Sequence, residues 1–513
     1  MNQEFMEHCE RKNWEILPIE AVPKREKVLD AVWAMRRKRN ILTKEIYRWK
    51  ARLNLHGGQQ EFGVNYFDTY SPVMNWFSLR LLLIHSLIFR LHTRQIDFVM
   101  AYPQTPIEQP IYMKFPQGIH SGKGSRKTHV LKLMKNLYGQ KQAGRVWFKY
   151  LSAKLISIGF KQSAVDECVF YRGPLIFFFY VDDGIFISKN KNIVDKAIEE
   201  LRETGLELED QGDIKDYLGI NFQYSDDDKI IMSQPQLIDS IIRDLQIKNP
   251  KNVPDIPALS TQILGRNENS PPFDENFHYR SVVGKLNYLE KGTRPDIAYA
   301  THQCARFCQD PRAPHGKAVE HLVRYLKGTR DKGIILTPNK NKSVEVFADA
   351  DFSGNWSKIT SEFDVSTAKS RTGFVVMYAG CPIIWTSKLQ TQVALSTTEA
   401  EYVSLSQSLR EVIPVINLLE ELKENNFILA STVPTVYCKA FEDNLGALEL
   451  AKTPRMRPRT KHINLVYHHF REYVRKRIIQ LFPISTVDQL ADIYTKPLAK
   501  NLFIKFRKQI MGW

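Results

Sequence analysis

The chain has 513 residues, of which 43% are hydrophobic and 11% aromatic, so it is long and apolar enough for two to four cored domains. Its formal net charge of +16 favours a polyanionic partner, and leaves nucleic acid, an acidic surface or an anionic membrane open. No apolar stretch approaches the length of a membrane span and residues 1–11 are polar, so we expect neither a membrane anchor nor a signal peptide. Six scattered cysteines suit a reducing compartment.

Hydrophobic periodicity gives the predicted elements in chain order. Residues 33–51 are rich in Arg, Lys and aromatic residues, which is typical of either a solvated helix face or a phosphate-contacting surface. Residues 78–91 predict an apolar helix that leads into a strand over 93–99. Further helices are predicted up to residue 158 and over 193–201, 237–245 and 318–326. A new pattern then predicts a long helix over 397–424 and strands at 344–348, 373–378, 383–385 and 435–438.

The most informative stretch is Tyr180-Val181-Asp182-Asp183. Residues 175–179 indicate a buried strand, residues 185–187 indicate its return, and Asp183-Gly184 predicts the turn between them. Adjacent carboxylates in apolar surroundings repel each other and are poorly solvated, and a divalent cation removes both penalties. Mg²⁺ suits such a site because it prefers oxygen ligands and keeps exchangeable waters. The alternative is an exposed Asp-Asp-Gly turn.

A third carboxylate, Asp97, ends the predicted strand that follows the apolar helix. Nucleotidyl transfer with two metal ions needs carboxylates from separate strands and a further ligand nearby. Asp97, Asp182 and Asp183 satisfy this requirement if the two strands lie side by side. Alone, Asp97 would be a turn or capping residue.

Eight short motifs follow one another in an order typical of a single family: YRWKARL (47–53), YSPV (70–73), QID (95–97), LYGQKQ (137–142), YVDD (180–183), YLGI (217–220), TRPDI (293–297) and YLKGT (325–329). By these motifs the sequence resembles, over residues 23–512, the reverse transcriptase and RNase H region of a copia-type (Pseudoviridae) retrotransposon Pol polyprotein. The resemblance implies an α+β multidomain fold, in which a right-hand polymerase with an antiparallel palm sheet precedes an RNase H-like α/β domain. The implied domains are a lead-in (1–22), the fingers and palm with the start of the thumb (23–250), a thumb or connection (251–342) and the RNase H-like domain (343–513).

The resemblance also implies roles at the polymerase site. Two Mg²⁺ ions, with Mn²⁺ as a substitute, would be held by Asp97, Asp182 and Asp183. Lys50 and Arg52 would reach the triphosphate, or else form a solvated pair on a strand edge. Tyr102 would exclude a ribose 2′-hydroxyl, or else be a core aromatic residue. Gly139, Lys141 and Gln142 would form the loop that packs against the template. Tyr217, Leu218 and Gly219 would form the turn that grips the primer.

Two residues depart from the family pattern. Gln140 stands where Leu is usual, and Gly144 stands where Pro is usual. We expect Gly144 to loosen the loop that contains it, because Gly restricts the backbone less than Pro does. Such a change affects the fidelity or rate of the reaction and not its class.

A second set of carboxylates comes from two predicted strands and two predicted helices: Asp349, Glu401, Asp443 and Asp492. Such a set suits hydrolysis of a phosphodiester with two metal ions. The resemblance assigns these four residues, with two Mg²⁺ ions, to an RNase H site.

Four features near this second set leave alternatives open. Asp351 and Glu399 are neighbouring acids whose expected roles are solvated charge and helix capping. The segment 438–442 is longer than expected before Asp443, so this acid lies either at the metal ions or displaced from them. His462 follows a basic stretch and either assists product release or is a neutral surface residue.

The sequence therefore predicts an RNA- and DNA-directed DNA polymerase that also cleaves the RNA strand of hybrids. The alternative is an inactive or domesticated nucleic-acid-binding relic of a retroelement polymerase. Implied partners are an RNA template, a DNA or tRNA-type primer and deoxynucleoside triphosphates, with integrase, a capsid-like particle or a second copy as further candidates. We expect a cytoplasmic virus-like particle, with the nucleus as an alternative, and either a processed product or a truncated copy of a longer polyprotein.

Overall fold

The structure is a computed structural model that describes residues 1–39, 45–119, 122, 124–225, 228–247, 253–259, 264–266, 270–274, 276–356, 364–427, 436–453 and 468–513. Spatial contacts divide the chain into two compact units. The first unit contains Met1–Met74 and His92–Ile214, and the second contains Asn75–Leu91 and Lys215–Trp513. Both units combine helices with sheets, so the predicted mixed α+β class is confirmed. The four-part domain division stays a prediction.

The helices and strands are labelled in chain order. The helices are α1 Asn2–Glu10, α2 Trp76–Phe89, α3 Ala143–Ser157, α4 Lys191–Glu203, α5 Pro235–Asp244, α6 Tyr279–Gly292, α7 Ala298–Ala305, α8 Ala313–Gly328, α9 Thr397–Glu424, α10 Leu445–Lys452, α11 Arg471–Arg475, α12 Asp492–Thr495 and α13 Lys500–Met511. The strands are β1 Trp14–Pro18, β2 Val28–Leu29, β3 Ala31–Arg39, β4 Ile46–Leu55, β5 His92–Phe98, β6 Tyr112–Lys114, β7 His129–Leu133, β8 Lys161–Gln162, β9 Val169–Arg172, β10 Leu175–Tyr180, β11 Asp183–Ser188, β12 Leu208–Gly212, β13 Asp216–Tyr217, β14 Ile220–Ser225, β15 Lys229–Ser233, β16 Ile334–Leu336, β17 Val344–Asp351, β18 Arg371–Tyr378, β19 Cys381–Leu389, β20 Cys438–Glu442 and β21 Ile479–Pro483. None of the helices in the described ranges is both long enough and apolar enough to cross a membrane.

The first unit is built on a six-stranded sheet with the strand order β12-β5-β11-β10-β9-β8. Strands β10 and β11 are buried along most of their length, as their continuous apolar runs predicted. A four-stranded sheet and the antiparallel ribbon β3–β4 complete the unit. The basic stretch 33–51 therefore lies largely in the ribbon, and of the two alternatives for this stretch the helix face is wrong.

The turn of the central hairpin differs from its predicted position. Tyr180 pairs with Asp183, so the turn residues are Val181 and Asp182, and Gly184 lies inside β11. A Cβ atom on Gly184 would come within 2.8 Å of the Phe177 ring across the hairpin. Gly184 is thus explained by close packing in the sheet, and the prediction of an Asp183-Gly184 turn is wrong.

The second unit contains a five-stranded sheet with the strand order β19-β18-β17-β20-β21. Strand β17 runs antiparallel to β18 and parallel to β20, which in turn runs parallel to β21. Helix α9 packs against β17, and the Ser404 hydroxyl donates a 2.7 Å hydrogen bond to the carbonyl of Asp349. The predicted helix over 397–424 is confirmed, and the Ser396 hydroxyl caps it by accepting a hydrogen bond from the Glu399 amide.

Strand β20 begins and ends later than predicted. It covers Cys438–Glu442, which is the segment that looked too long before Asp443. Because this segment is itself the strand, Asp443 follows directly at the strand's carboxyl end. The expected surplus of residues between strand and acid is therefore wrong.

Helix α2 carries a buried histidine that makes stability sensitive to acid. His85 is 1% exposed, neither ring nitrogen has a hydrogen-bond partner among the described residues, and burial lowers its pKa to about 3. The unfolded chain therefore binds a proton at His85 near pH 6.5 whereas the folded chain does not. Stability from this residue is present above pH 6.5 and falls below it, by about 2 kcal/mol between pH 6.5 and 5.

Urea unfolding at pH 7 and pH 5 measures this effect. We expect the parent protein to lose stability at pH 5, and His85→Leu to show a smaller loss because Leu cannot be protonated. Equal losses in the two proteins would contradict the assignment of acid sensitivity to His85.

Candidate active sites

The first carboxylate cluster lies at one end of the hairpin β10–β11 in the first unit. Asp97 on β5 stands directly opposite Asp183 on β11 in the antiparallel register. Directly opposed residues of an antiparallel pair project from the same face of the sheet, so these two side chains are neighbours. The amide of Phe98 donates a 2.8 Å hydrogen bond to the carbonyl of Asp182, which ties the turn to β5. The structure thus places all three predicted acids at one sheet end.

Neighbouring charges of both signs act on the pKa of Asp97. Burial raises the pKa of Asp97, and the negative charges of Asp182 and Glu209 raise it further. Glu209 pairs with Asp97 from β12, on the opposite side of β5 from β11. The positive charges of Lys50 and Arg52 act in the other direction. Positive charge near Asp97 therefore stabilises its ionised form, which is the form that can bind a metal ion.

The turn that carries Asp182 is held in a strained conformation. Val181 has φ +59°, in the left-handed region that β-branched residues rarely adopt. The Trp147 indole on α3 donates a 2.7 Å hydrogen bond to the Val181 carbonyl, and Trp147 itself is buried. No sequence pattern indicates this role, because a core tryptophan and a tryptophan that fixes a turn have the same helical spacing.

Aromatic and basic side chains surround the acids. The Arg52 guanidinium lies over the Tyr138 ring, 4.9 Å from its centroid, and Tyr138 packs against Tyr102 with ring centroids 4.9 Å apart. Burial raises the pKa of Tyr102, and the charge of Asp182 adds to this shift. Lys50, Arg52 and Tyr102 therefore share the electrostatic environment of the acids, and their roles toward a nucleotide stay predictions. Tyr138, which was not among the predicted site residues, belongs to the same group.

The loop that contains Gly139, Lys141 and Gln142 is tied to the end of β4. Gly139 has φ +89°, and a Cβ atom there would lie 2.2 Å from the Leu55 carbonyl oxygen. Gln142 is buried and accepts a 3.0 Å hydrogen bond from Gln60 through its side chain. Lys141 is exposed, and its ammonium donates a hydrogen bond to the Tyr66 hydroxyl. Gly139 and Gln142 thus have packing roles, and Lys141 presents a charge at the surface.

Gly144 does not lie in this loop. It is the second residue of α3, and its environment includes Ser71 and the Tyr102 hydroxyl. The first turn of a helix accepts Pro as readily as Gly because its amides lack intrahelical acceptors. The expectation that Gly144 loosens a loop is therefore wrong.

The predicted primer-gripping turn lies in the second unit. Tyr217 is buried at the end of β13, and Leu218 and Gly219 form the turn into β14 with φ +54° and +70°. The Tyr288 hydroxyl donates a 2.7 Å hydrogen bond to the Leu218 carbonyl. His462 lies outside the described residues, so its predicted role stays a prediction.

The second carboxylate cluster lies at the carboxyl ends of β17 and β20. Asp349, Glu401 and Asp443 each offer an oxygen, and these atoms lie within 4.8 Å of one another. Asp349 and Glu401 are buried, and Glu401 Oε2 has no hydrogen-bond partner in the described part of the chain. Clustered, buried carboxylate oxygens are the ligands that a hard divalent cation prefers. The geometry therefore fits a metal ion, and Asp443 is not displaced.

Asp492 joins this cluster from α12. Burial and the neighbouring charge of Asp349 raise the pKa of Asp492 to about 7. The Thr495 hydroxyl donates a hydrogen bond to Asp349 Oδ2, so α12 supplies Asp492 and also holds Asp349. All four acids predicted for the second site are thus brought together.

Glu442, the residue before Asp443, was not among the predicted site residues. Glu442 is fully buried, and its Oε2 atom has no hydrogen-bond partner among the residues described. Burial, joined by the charges of Asp443 and Asp349, raises its pKa well above the usual range. A strand prediction that reached Asp443 would have placed Glu442 at the same sheet end.

The two neighbouring acids differ in position. Asp351 is the last residue of β17, where burial and the charge of Asp349 raise its pKa. The Glu399 side chain accepts a 2.7 Å hydrogen bond from the Leu395 amide at the start of α9, which is a capping contact. Glu399 thus has the predicted capping contact. Asp351 is partly buried beside Asp349, so its predicted role as a solvated charge is wrong.

The sequence is similar to those of known proteins. Residues 12–259 match the family described as reverse transcriptase (RNA-dependent DNA polymerase). This part of the chain therefore belongs to the reverse transcriptase family. It is 31% identical over 502 residues to the retrovirus-related Pol polyprotein from transposon TNT 1-94 of Nicotiana tabacum, covering 96% of this chain and 36% of that one. It is also 31% identical over 515 residues to the Pol polyprotein from transposon RE1 of Arabidopsis thaliana, covering 99% of this chain and 33% of that one.

These matches identify the chain as carrying the reverse transcriptase domain of a copia-type retrotransposon Pol polyprotein. The chain spans about a third of the length of these curated relatives. Among solved structures, it is similar to the foamy viral protease-reverse transcriptase in complex with an RNA/DNA hybrid. That similarity has a TM-score of 0.45 at 13% identity and covers 95% of this chain and 52% of the other.

Proposed function

We propose that this protein copies RNA and DNA templates into DNA and also cleaves the RNA strand of RNA–DNA hybrids. The observation that carries the proposal is that each compact unit has its own carboxylate cluster at the ends of sheet strands. Two Mg²⁺ ions bound at each cluster would offset charge on phosphoryl oxygens and activate the attacking hydroxyl or water. The proposed substrates are a primed template, deoxynucleoside triphosphates and the hybrid product, in a virus-like particle.

In the first unit, the chain's own groups suit nucleotide addition. Asp97, Asp182 and Asp183 would hold the ions beside the primer 3′-hydroxyl. That hydroxyl attacks the α-phosphate of the incoming nucleotide, and pyrophosphate leaves. Lys50 and Arg52 place positive charge near the same acids, where it would stabilise the triphosphate.

In the second unit, the chain's own groups suit hydrolysis of a phosphodiester. Asp349, Glu401, Asp443 and Asp492 would hold the ions. Thr495 orients Asp349 through its hydrogen bond to Oδ2, and Thr486 orients Asp443 through a 2.9 Å hydrogen bond to its Oδ2 atom. Both acids thus have one oxygen fixed by the protein, which supports a preorganised site.

Two assays on the purified chain test the proposal. One measures deoxynucleotide incorporation on a primed RNA template, and the other measures degradation of the labelled RNA strand of a hybrid, each with Mg²⁺ and with EDTA. We expect both activities, with Mg²⁺ only, and a steep loss of binding with salt because backbone phosphates dominate the contact. Binding without either activity would instead support the inactive relic.

Tyr102 is expected to select deoxyribonucleotides. Its ring packs on Tyr138 beside Asp182, so it occupies space next to the proposed nucleotide site. Replacing the ring by the small side chain of Tyr102→Ala removes the group that would collide with a 2′-hydroxyl. We expect incorporation of ribonucleotides relative to deoxyribonucleotides to rise roughly 100-fold, measured by single-nucleotide extension.

The matched control is Tyr102→Phe, which keeps the ring and loses only the hydroxyl. We expect its selectivity to equal that of the parent. A Tyr102→Ala protein that still rejects ribonucleotides would assign Tyr102 to the core.

A further inference from the structure

The second carboxylate cluster contains a lysine, Lys496, whose position follows from the short helix α12. Lys496 is four residues after Asp492, and one helical turn brings it back over that residue. The Lys496 amide donates a 3.2 Å hydrogen bond to the Asp492 carbonyl, and Lys496 Nζ lies 2.9 Å from Asp492 Oδ1. The Lys496 side chain is 38% exposed, so it reaches solvent while its ammonium group contacts a buried acid.

This ion pair differs from the other lysine–aspartate pairs of the second unit. Lys505 and Asp488 form a pair at 2.7 Å in which Asp488 is 57% exposed, whereas Asp492 is 3% exposed. Burial lowers the pKa of Lys496, but the negative charges of Asp349, Asp492 and Asp351 outweigh this effect and raise it. Lys496 thus pairs with a buried acid and not with a surface residue.

The same cluster has unused capacity to bind positive charge. Glu401 Oε2 and Glu442 Oε2 are buried and have no hydrogen-bond partner in the described ranges. A divalent cation held by these acids would take over the electrostatic role of the ammonium group and would repel it. The ammonium group and the cation would therefore compete for the Asp492 carboxylate.

We infer that Lys496 is a positioning residue that competes with the divalent cation for Asp492. Without the cation, the ammonium group holds the Asp492 carboxylate. When the cation binds, Lys496 releases Asp492 and turns toward solvent. This inference rests on the proposed function insofar as that function assigns a divalent cation to the second cluster.

Calorimetric titration of the full chain with Mg²⁺ tests the competition. The chain carries Asp182→Asn throughout, so that binding at the first cluster is weakened, and it is first freed of metal with EDTA. We expect Lys496→Met to bind Mg²⁺ at the second cluster about tenfold more tightly, because the competing charge is gone. Lys496→Arg keeps the charge and should bind like the parent, and Lys505→Met, which removes the surface pair, should also be unchanged.

Two further measurements separate competition from other effects. In an Asp492→Asn background, Lys496→Met should change the Mg²⁺ affinity less than twofold, because the contested carboxylate is absent. In thermal melts, Lys496→Met should unfold earlier than the parent in EDTA, and saturating Mg²⁺ should remove that difference. Unchanged or weaker Mg²⁺ binding by Lys496→Met, or an undiminished effect in the Asp492→Asn background, would overturn the inference.

Failure of the inference is distinguishable from failure of the proposed function. Asp349→Asn should abolish Mg²⁺ binding at the second cluster if the metal centre exists. Full binding in Asp349→Asn would remove the metal centre itself. Lost binding in Asp349→Asn together with unchanged affinity in Lys496→Met would leave the metal centre and remove only the role of Lys496.

Discussion

Asp182→Asn is expected to reduce DNA synthesis by more than about 100-fold, because it removes a charged oxygen from the first carboxylate cluster. Asp182 lies in the two-residue turn between β10 and β11, beside Asp97, whose pKa its charge raises. Amide and carboxylate have nearly the same shape, so the hairpin and its hydrogen bond to Phe98 should persist. Primer extension on an RNA template, with the rate followed as a function of Mg²⁺, measures the loss.

The matched control is Glu209→Gln on β12. Glu209 also faces Asp97 and also raises its pKa, yet it is not among the three acids assigned to the ions. We expect this variant to keep DNA synthesis within about threefold of the parent, since it removes repulsion and no proposed ligand. Asp182→Asn should degrade a hybrid at the parent rate, because that reaction is assigned to the other unit. Parent-level synthesis by Asp182→Asn would refute the assignment of the first cluster.

The acids that end strands could be predicted from the sequence because each stands where a strand-like pattern stops. A strand reaches the end of its sheet where such a pattern stops, and a carboxylate placed there can face solvent and ions. Asp97 and Asp349 follow this rule, and the register of the strands then decides which acids meet. The convergence of Asp349, Glu401 and Asp443 depends on the parallel pairing of β17 with β20, which local patterns do not specify.

Two of the errors arose where tertiary packing overrides a local preference. Asp183-Gly184 has the composition of a turn, but the space beside Phe177 requires Gly in the strand. Cys438–Glu442 contains Lys439 and ends in Glu442, so most of it was placed after the predicted strand, yet strands on both sides pair with it. Trp147 and Lys496 escaped notice because the roles of both depend on contacts across the fold.

Asp443→Asn is expected to reduce hybrid degradation by more than about 100-fold while leaving DNA synthesis intact. Asp443 follows β20 directly, and its oxygen lies within 4.8 Å of ligand atoms of Asp349 and Glu401. The variant removes one charge from a cluster whose remaining acids are mostly buried. Because the repulsion also falls, the metal-free protein should melt no earlier than the parent, so a loss of activity reports on metal binding. Cleavage of a labelled RNA strand gives the rate, and a thermal melt in EDTA gives the stability.

Glu399→Gln is the matched control, since it alters an acid two residues from Glu401 on the same helix. Its side chain accepts the Leu395 amide at the helix start, and the Gln amide oxygen can keep that hydrogen bond. We expect hybrid degradation within about threefold of the parent. If Asp443→Asn cleaves at the parent rate while Asp349→Asn does not, then Glu442, the fully buried acid beside it, becomes the candidate ligand from β20. In that case the residue that ends the strand, and not the one that follows it, would supply the charge on which hydrolysis depends.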